Sequence, residues 1–455
     1  MTVYDPADQL HRLVKEALDS GAADSLEAAQ ALFLGFRLNL VLDPGAASSR
    51  HHQAALLTAV NLARRVFLGG VTVTGALDVP LAVDMPLGAT LGEAVTRLGG
   101  RAAASSEPDV PVIRIGGAPR PRGRGFEMRL LWSGWCGGAT PAYSDVQLND
   151  ESAMPLSPML AAAMAVSEAY FHVRGGAPTA GRRQVALSLW RPGEADPFAA
   201  NAGPTLERLP DRLWLLGLGH LGQAYLWTLG LLPYPNPDAL QLVLQDMDRI
   251  TPSTESTSVL SDARLVGEMK TRAMAAWAER RGFSPRIVER YFDDGFQRRD
   301  DEPGVVFCGL DNALGRRALD KVGFDLVVEA GLGRGPRDFQ SMRIHTLPAP
   351  KSADQLWPAA ADTGEDFTAQ DAYQKLLKDG ALDQCGVTLL AGKAVGAPFV
   401  GAVAAALAIS EVLRHLHDGV MHQVIDLDLA AVGHQQVVLQ TTDFSVFNPG
   451  YVGIG

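Results

Sequence analysis

The chain has 455 residues, 47% of them hydrophobic, enough for two or three domains with sizeable cores. A formal net charge of −11 argues against a nucleic-acid partner, whose binding would rest on clustered Lys and Arg. The three cysteines (Cys136, Cys308 and Cys385) cannot build a disulfide framework, and without a C-x-x-C pair they do not suggest structural zinc.

The opening MTVYDPADQLHRLVKEAL has no basic segment followed by an apolar one, so no signal peptide is expected. Residues 1–36 read as helical, with LHRLVKEAL and SLEAAQALFLGF placing apolar residues at three and four spacing. FRLNLVL (36–42) reads as a buried strand, followed by DPGAASS and a long helix over 50–67. VTVTGALDV (71–79), TLGEAVTRL (90–98) and VPVIRIG (110–116) continue the alternation of strands and helices. Such alternation predicts an α/β fold with a mostly parallel sheet and helices on its faces.

The second half repeats the scheme: RLWLLGLG (212–219), a helix, LQLVLQDMD (240–248), a helix near 266–281, VVFCGLDN (305–312) and FDLVVEAGLG (324–333). A polar, irregular stretch over 348–384 carries one expected helix and ends at Cys385. The most apolar run, 398–413, is short, rich in small residues and contains Glu411, so no membrane span is expected. The tail FSVFNPGYVGIG reads as a frayed end. A cytoplasmic protein is the expectation.

The halves also end alike. LAAAMAVSEAYFHVRGG (160–176) lies over VAAALAISEVLRHLHDG (403–419) without a gap, keeping four alanines, a Ser-Glu pair, a His and the final Gly. Each copy follows a Pro and closes an alternating unit, which predicts two related α/β domains in tandem, 1–200 and 205–455. Where the second has GLGHLG, the first has DPGAASS, which lacks the glycines and places Asp43 where it would repel a phosphate.

Gly217, Gly219 and Gly222 form a G-x-G-x-x-G turn between a strand and a helix, where free N–H groups and a helix N-terminus can receive a phosphate. The motif alone is shared by many nucleotide binders. Asp246, near the end of the next strand, fits a ribose-binding acid, and Asp248 two residues on faces the same side. Asp248 also reads as a turn residue, Lys270 as a solvated lysine and Asp311 as a helix cap. Together, Lys270 and Asp311 around a nucleotide suggest an ammonium neutralising phosphate charge and a carboxylate holding Mg²⁺.

The ordered set G-x-G-x-x-G, D-x-D, V-G-x-x-K and D-N-x-x-x-R (Asp311, Asn312, Arg316) resembles the ThiF/MoeB/HesA-type adenylyltransferases and ubiquitin-activating enzymes over roughly 205–420. The tandem and the lack of zinc cysteines make the chain most similar to activating enzymes of bacterial ubiquitin-like (Bil-type) conjugation operons, which are associated with antiviral defence. The resemblance implies two Rossmann-like adenylation domains forming a pseudo-dimer, the first degenerate and the second active. It implies ATP and Mg²⁺ as cofactors, with Gly217, Gly219, Gly222, Asp246, Asp248, Lys270, Asn312 and Arg316 at the nucleotide and Asp311 at the metal. A ubiquitin-like protein would present its C-terminal tail as substrate, and a conjugating enzyme would receive the product. Family members borrow an arginine from the partner domain, for which Arg12 and Arg37 are the nearest candidates.

After D-x-D the family carries an Asn and an Arg where this chain has Thr254 and Thr257, and Arg316 or Arg272 could supply the missing charge. The resemblance places the working cysteine in or after the crossover loop, here about 346–392, at Cys385. Cys308 and Cys136 read as structural. Three other readings stay open: adenylation for sulfur transfer or peptide modification without an enzyme thioester, an NAD- or FAD-dependent oxidoreductase, and a non-catalytic scaffold. The oxidoreductase leaves Asp248, Lys270, Asp311 and the tandem unexplained.

Overall fold

The computed structural model describes residues 6–148, 154–199, 202–358, 366–380 and 382–454. Short helices α1 (Pro6–Gln9) and α2 (Lys15–Asp19) precede α3 (Leu26–Leu34) and β1 (Arg37–Leu42). The first half continues through α4 (Arg50–Ala63), β2 (Gly70–Thr74), α5 (Leu91–Arg97), β3 (Arg101–Ala102), β4 (Val112–Ile115) and β5 (Glu127–Ser133). It closes with β6 (Cys136–Pro141), α6 (Leu156–Arg174) and β7 (Val185–Ser188).

A short β8 (Arg208–Pro210) leads into β9 (Arg212–Leu216), α7 (His220–Leu231), β10 (Gln241–Gln245), α8 (Lys270–Arg281), β11 (Ser284–Val288) and β12 (Val305–Cys308). Next come α9 (Ala313–Arg317), β13 (Leu326–Leu332), β14 (Ser341–Leu347), α10 (Ala353–Leu356), α11 (Asp371–Lys378) and α12 (Gln384–Gly392). The chain ends through α13 (Pro398–Leu416), β15 (His422–Asp428), β16 (Gln436–Leu439) and β17 (Tyr451–Gly453). Two helices, α10 and α11, thus occupy the stretch over 348–384 where one was expected, and α12 begins at its end; part of the stretch lies outside the described residues.

One sheet runs β3-β2-β1-β4-β5-β6-β7 and the other β11-β10-β9-β12-β13-β14-β15-β16. Counted from β1 and from β9, the two orders coincide, with one strand added at the far edge of the second. Each sheet is parallel through its fifth strand and antiparallel beyond it, so both are mostly parallel, as expected, with an antiparallel edge that was not. β6 escapes sequence reading because its pattern is CGGATP. A Cβ on Gly137 would come 2.2 Å from Ser157 O, so the glycine is there to let α6 lie directly on the strand.

The two repeat helices, α6 and α13, pack against each other between the sheets, with α4 and α7 beside them. One apolar core runs through both halves. Their shared Ser-Glu pair has a structural use: Glu168 Oε2 accepts the Gly181 N–H at 2.8 Å, and Glu411 Oε2 accepts the His422 N–H at 2.9 Å. In each half a buried glutamate ties the long helix to the chain that follows it. α13 extends beyond the apolar run expected and is long and apolar enough to cross a membrane, yet 94% of that window is buried inside the protein. The tail also departs from the expected frayed end. β17 pairs antiparallel with β8, and Arg208 lies 5.8 Å over the Tyr451 ring.

Candidate active site

β9 stops at Leu216 and Gly217 adopts a left-handed φ of 82°, turning the chain out of the sheet while its N–H donates to Gln245 O at 2.9 Å. A Cβ on Gly217 would meet Gly309 C at 3.0 Å, so this turn lies directly beside the exit of β12. His220, the first residue of α7, is packed against α13, where a Cβ on Gly401 would fall 2.4 Å from its Nε2. Burial, with Arg12 nearby, pushes its pKa down to about 4, so the imidazole is neutral at pH 7.

β10 ends at Gln245, so Asp246 and Asp248 lie beyond the strand rather than on one of its faces. Asp246 spends its carboxylate on the backbone, accepting the Leu218 N–H at 2.6 Å and the Asp248 N–H at 2.7 Å. It thereby pins the glycine turn to the end of β10. Lys270, the first residue of α8, places its ammonium 2.7 Å from Asp248 Oδ2 and 3.7 Å from Asp246 Oδ2. Asp248 is open to solvent while Lys270 and Asp246 are largely covered.

Beyond β12, Asp311 is exposed and makes no hydrogen bond or ion pair of its own among the described residues. Asn312 caps α9, accepting the Gly315 N–H at 2.7 Å. Arg316 lies 2.9 Å from the buried Glu329, which also contacts His345 at 3.1 Å. Arg272 makes a two-pronged bridge to Glu289 at 2.8 and 2.9 Å. Both arginines expected to offset Thr257 are therefore paired with acids.

Arg12 reaches the second half from the link between α1 and α2. Its N–H donates to Ser256 Oγ at 3.1 Å, its Nη1 to Ala394 O at 3.3 Å, and its carbonyl accepts the Gly396 N–H at 3.4 Å. Burial lowers its pKa, while Asp311 and then Asp8 raise it and Arg334 lowers it. A Cβ on Gly396 would meet Thr257 Cγ2 at 3.1 Å, His220 Nδ1 at 3.8 Å and Arg12 Cβ at 3.9 Å, so these side chains converge. Thr254 instead closes a capping box with Thr251. Arg37 is not brought here: it pairs with Glu107 at 2.7 Å on the first sheet.

Sequence reading passed over Arg334, although its position just after β13 was a signal, since that exit shares an edge with Asp311. It also passed over Arg64 and Arg65, which follow α4. Arg64 bonds Glu255 at 2.9 Å, and Arg65 donates to Glu255 O, Ser258 O and Ser261 O at 2.8, 3.1 and 2.9 Å. The first half thus clamps the loop that carries Thr254 and Thr257.

Of the three cysteines only Cys385 is exposed, in the first turn of α12. Asp383 caps that helix through the Gly386 N–H at 2.7 Å. Cys308 lies in β12, where burial first and then Glu329 push its thiol up to about 12. Cys136 is buried and its thiol is also pushed up by burial. Lys393, close to Cys385 in the chain, pairs with Asp8 at 3.1 Å.

Residues 37–189 match the model for the BilD N-terminal domain, and residues 209–419 the model for the BilD C-terminal domain. The bacterial E1-like protein BilD of Collimonas sp. (strain OK412) is 47% identical over 414 residues, covering 90% of this chain and 89% of its own. Among solved structures, E. coli MccB crystallised with ATP aligns at 14% identity and TM-score 0.33, over 51% of this chain and 65% of its own. E. coli TcdA in complex with AMP aligns at 15% identity and TM-score 0.29, over 46% of this chain and 86% of its own. The family assignment rests on the two domain matches and the 47% identity, and by them the chain belongs to the BilD family of bacterial E1-like proteins.

Proposed function

We propose that this chain uses ATP to activate the C-terminal carboxylate of a ubiquitin-like protein and then takes the acyl group onto Cys385. The observation that carries the reading is the convergence of Arg12 with Thr257 and with His220, the first residue of α7 after the glycine turn. An arginine from the N-terminal segment stands where the second half lacks its own.

In this reading the domains are 1–200 and 205–455, a degenerate and an active adenylation unit arranged as a pseudo-dimer. The repeated strand order and the α6–α13 packing support it. ATP would lie over Gly217, Gly219 and Gly222, its ribose near Asp246 and its phosphates toward Lys270 and Arg12. Asn312 and Arg316 act by holding the exit of β12 in shape.

Asp311 fits a site for Mg²⁺, which takes one or two carboxylates and leaves its other positions to phosphate and water. When bound, the ion would supply charge neutralisation at the phosphates. The substrate carboxylate attacks the α-phosphorus and pyrophosphate leaves, while Lys270 and Arg12 stabilise the developing negative charge. The Cys385 thiolate then attacks the acyl carbon, the bond to AMP oxygen breaks, and a thioester forms that can pass to a conjugating enzyme.

The test is to incubate the chain with ATP, Mg²⁺ and a purified ubiquitin-like protein. A non-reducing gel should show an adduct that thiol and the Cys385→Ala change both remove. Pyrophosphate exchange without an adduct would favour adenylation alone. With the right partner, the absence of both would leave the scaffold reading.

A further inference from the structure

The first half carries a cavity of its own at the C-terminal ends of β4 and β5. It measures about 310 Å³ and is lined in part by His52, Gly116, Gly117, Ala118, Arg129 and Trp132. Arg129 is only 5% exposed, and it forms no ion pair with a described residue. Its Nη2 donates to Ser144 O at 3.3 Å and to Val146 O, and its Nε has no partner. Burial pushes its pKa down, and no carboxylate among the described residues opposes the shift. Trp132, 2% exposed, likewise leaves its Nε1 unpartnered, and the His52 ring packs edge-on against it at 4.9 Å between centroids.

A buried cation without a counter-charge is costly, and a wall whose unpaired buried groups are both donors wants an acceptor. A polyphosphate, with three or four negative charges, suits it less than a smaller anion with one or two. Leu42 pairs with Ile115 as Leu216 pairs with Cys308, so Asp43 occupies the place of Gly217. A Cβ on Gly117 would lie 2.9 Å from Asp43 Oδ2, which sets that carboxylate at the rim of the cavity. The volume is also at the small end for ligand pockets.

We propose that this cavity binds a small organic carboxylate, of amino-acid to short dicarboxylate size. Arg129 supplies the counter-charge, and the Trp132–His52 wall covers the carbon portion. The site is separate from the glycine turn of the second half and does not depend on what that half does.

The test is calorimetric titration and thermal melting of the full chain with succinate, L-glutamate and inorganic phosphate, without ATP. At least one carboxylate should bind saturably and raise the melting temperature more than phosphate does at equal ionic strength. Arg129→Gln should weaken that binding roughly ten- to hundredfold, the loss expected for a charge-assisted hydrogen bond. Ala118→Phe, at an exposed position on the lining, should block entry while leaving the melting temperature of the free chain near that of the wild type. It keeps the test decisive should Arg129→Gln not fold. The proposal is overturned if neither carboxylate binds saturably, if phosphate binds better than both, or if Ala118→Phe binds as the wild type does.

Discussion

Gly222 lies so close to Gly217 that a Cβ on Gly222 would stand 2.0 Å from the Gly217 carbonyl oxygen. The second residue of the motif, Gly219, has a φ of −83° and open space where its Cβ would go. The glycines therefore serve different ends: two shape the turn, and one leaves room. Gly222→Ala should cost about 3 kcal/mol of stability or more, because backbone must move. Gly219→Ala should change stability by less than about 0.5 kcal/mol and yet weaken ATP binding, since its methyl fills the approach to the phosphates. Urea unfolding and nucleotide titration on the two variants separate these effects.

The two candidate arginines make opposite predictions. Arg12→Ala should lower ATP–pyrophosphate exchange by about 100-fold, the usual cost of removing one charge-stabilising donor. Arg37→Ala removes a half-exposed pair with Glu107, and should leave exchange unchanged and stability within about 1 kcal/mol. Equal losses in both variants would sink the assignment of Arg12.

Much of this site was legible because strands announce where the chain exits the sheet. The glycine turn, Asp246, Lys270 and Asp311 all sit within a few residues of a strand end or a helix start. What sequence could not give was traffic between distant segments. Arg12 is 244 residues from Ser256, whose hydroxyl accepts its N–H. Likewise, Arg316 looks available in D-N-x-x-x-R until β13 delivers Glu329 to it. β6 was missed for a local reason: it gives up bulky side chains so that α6 can approach.

Lys15, Asp19 and Tyr373 form a buried group that links the N-terminal segment to the crossover region. Lys15 and Asp19 are ion-paired and fully buried, Tyr373 Oη donates to Asp19, and Lys15 Nζ donates to Ala391 O at 3.1 Å. Lys15 also lies 5.4 Å from the Phe367 ring centre. Asp19→Ala would strand a buried ammonium and should cost about 3–5 kcal/mol. Tyr373→Phe should cost only about 1 kcal/mol. Hydrogen exchange across 384–392 should quicken in Tyr373→Phe, since α12 is anchored through this group. Unchanged exchange there would mean that α12 is held by other contacts.

Two buried histidines predict how stability falls with acid. His11 and His220 both have pKa values lowered to about 4, in each case by burial first, with Arg65 and Arg12 respectively adding to the shift. In the unfolded chain each returns to about 6.5. Above that value both states are neutral and pH has no effect through these groups. Between about 6.5 and 4 the unfolded chain binds protons that the folded chain refuses, so stability drops as pH falls. Each fully refused proton weighs about 1.4 kcal/mol per pH unit. His11→Gln and His220→Gln should each flatten the fall in unfolding free energy between pH 6.5 and 5, whatever they cost at pH 8. Urea unfolding across that range is the check: a slope identical to the wild type in both variants would mean that other groups carry the acid sensitivity.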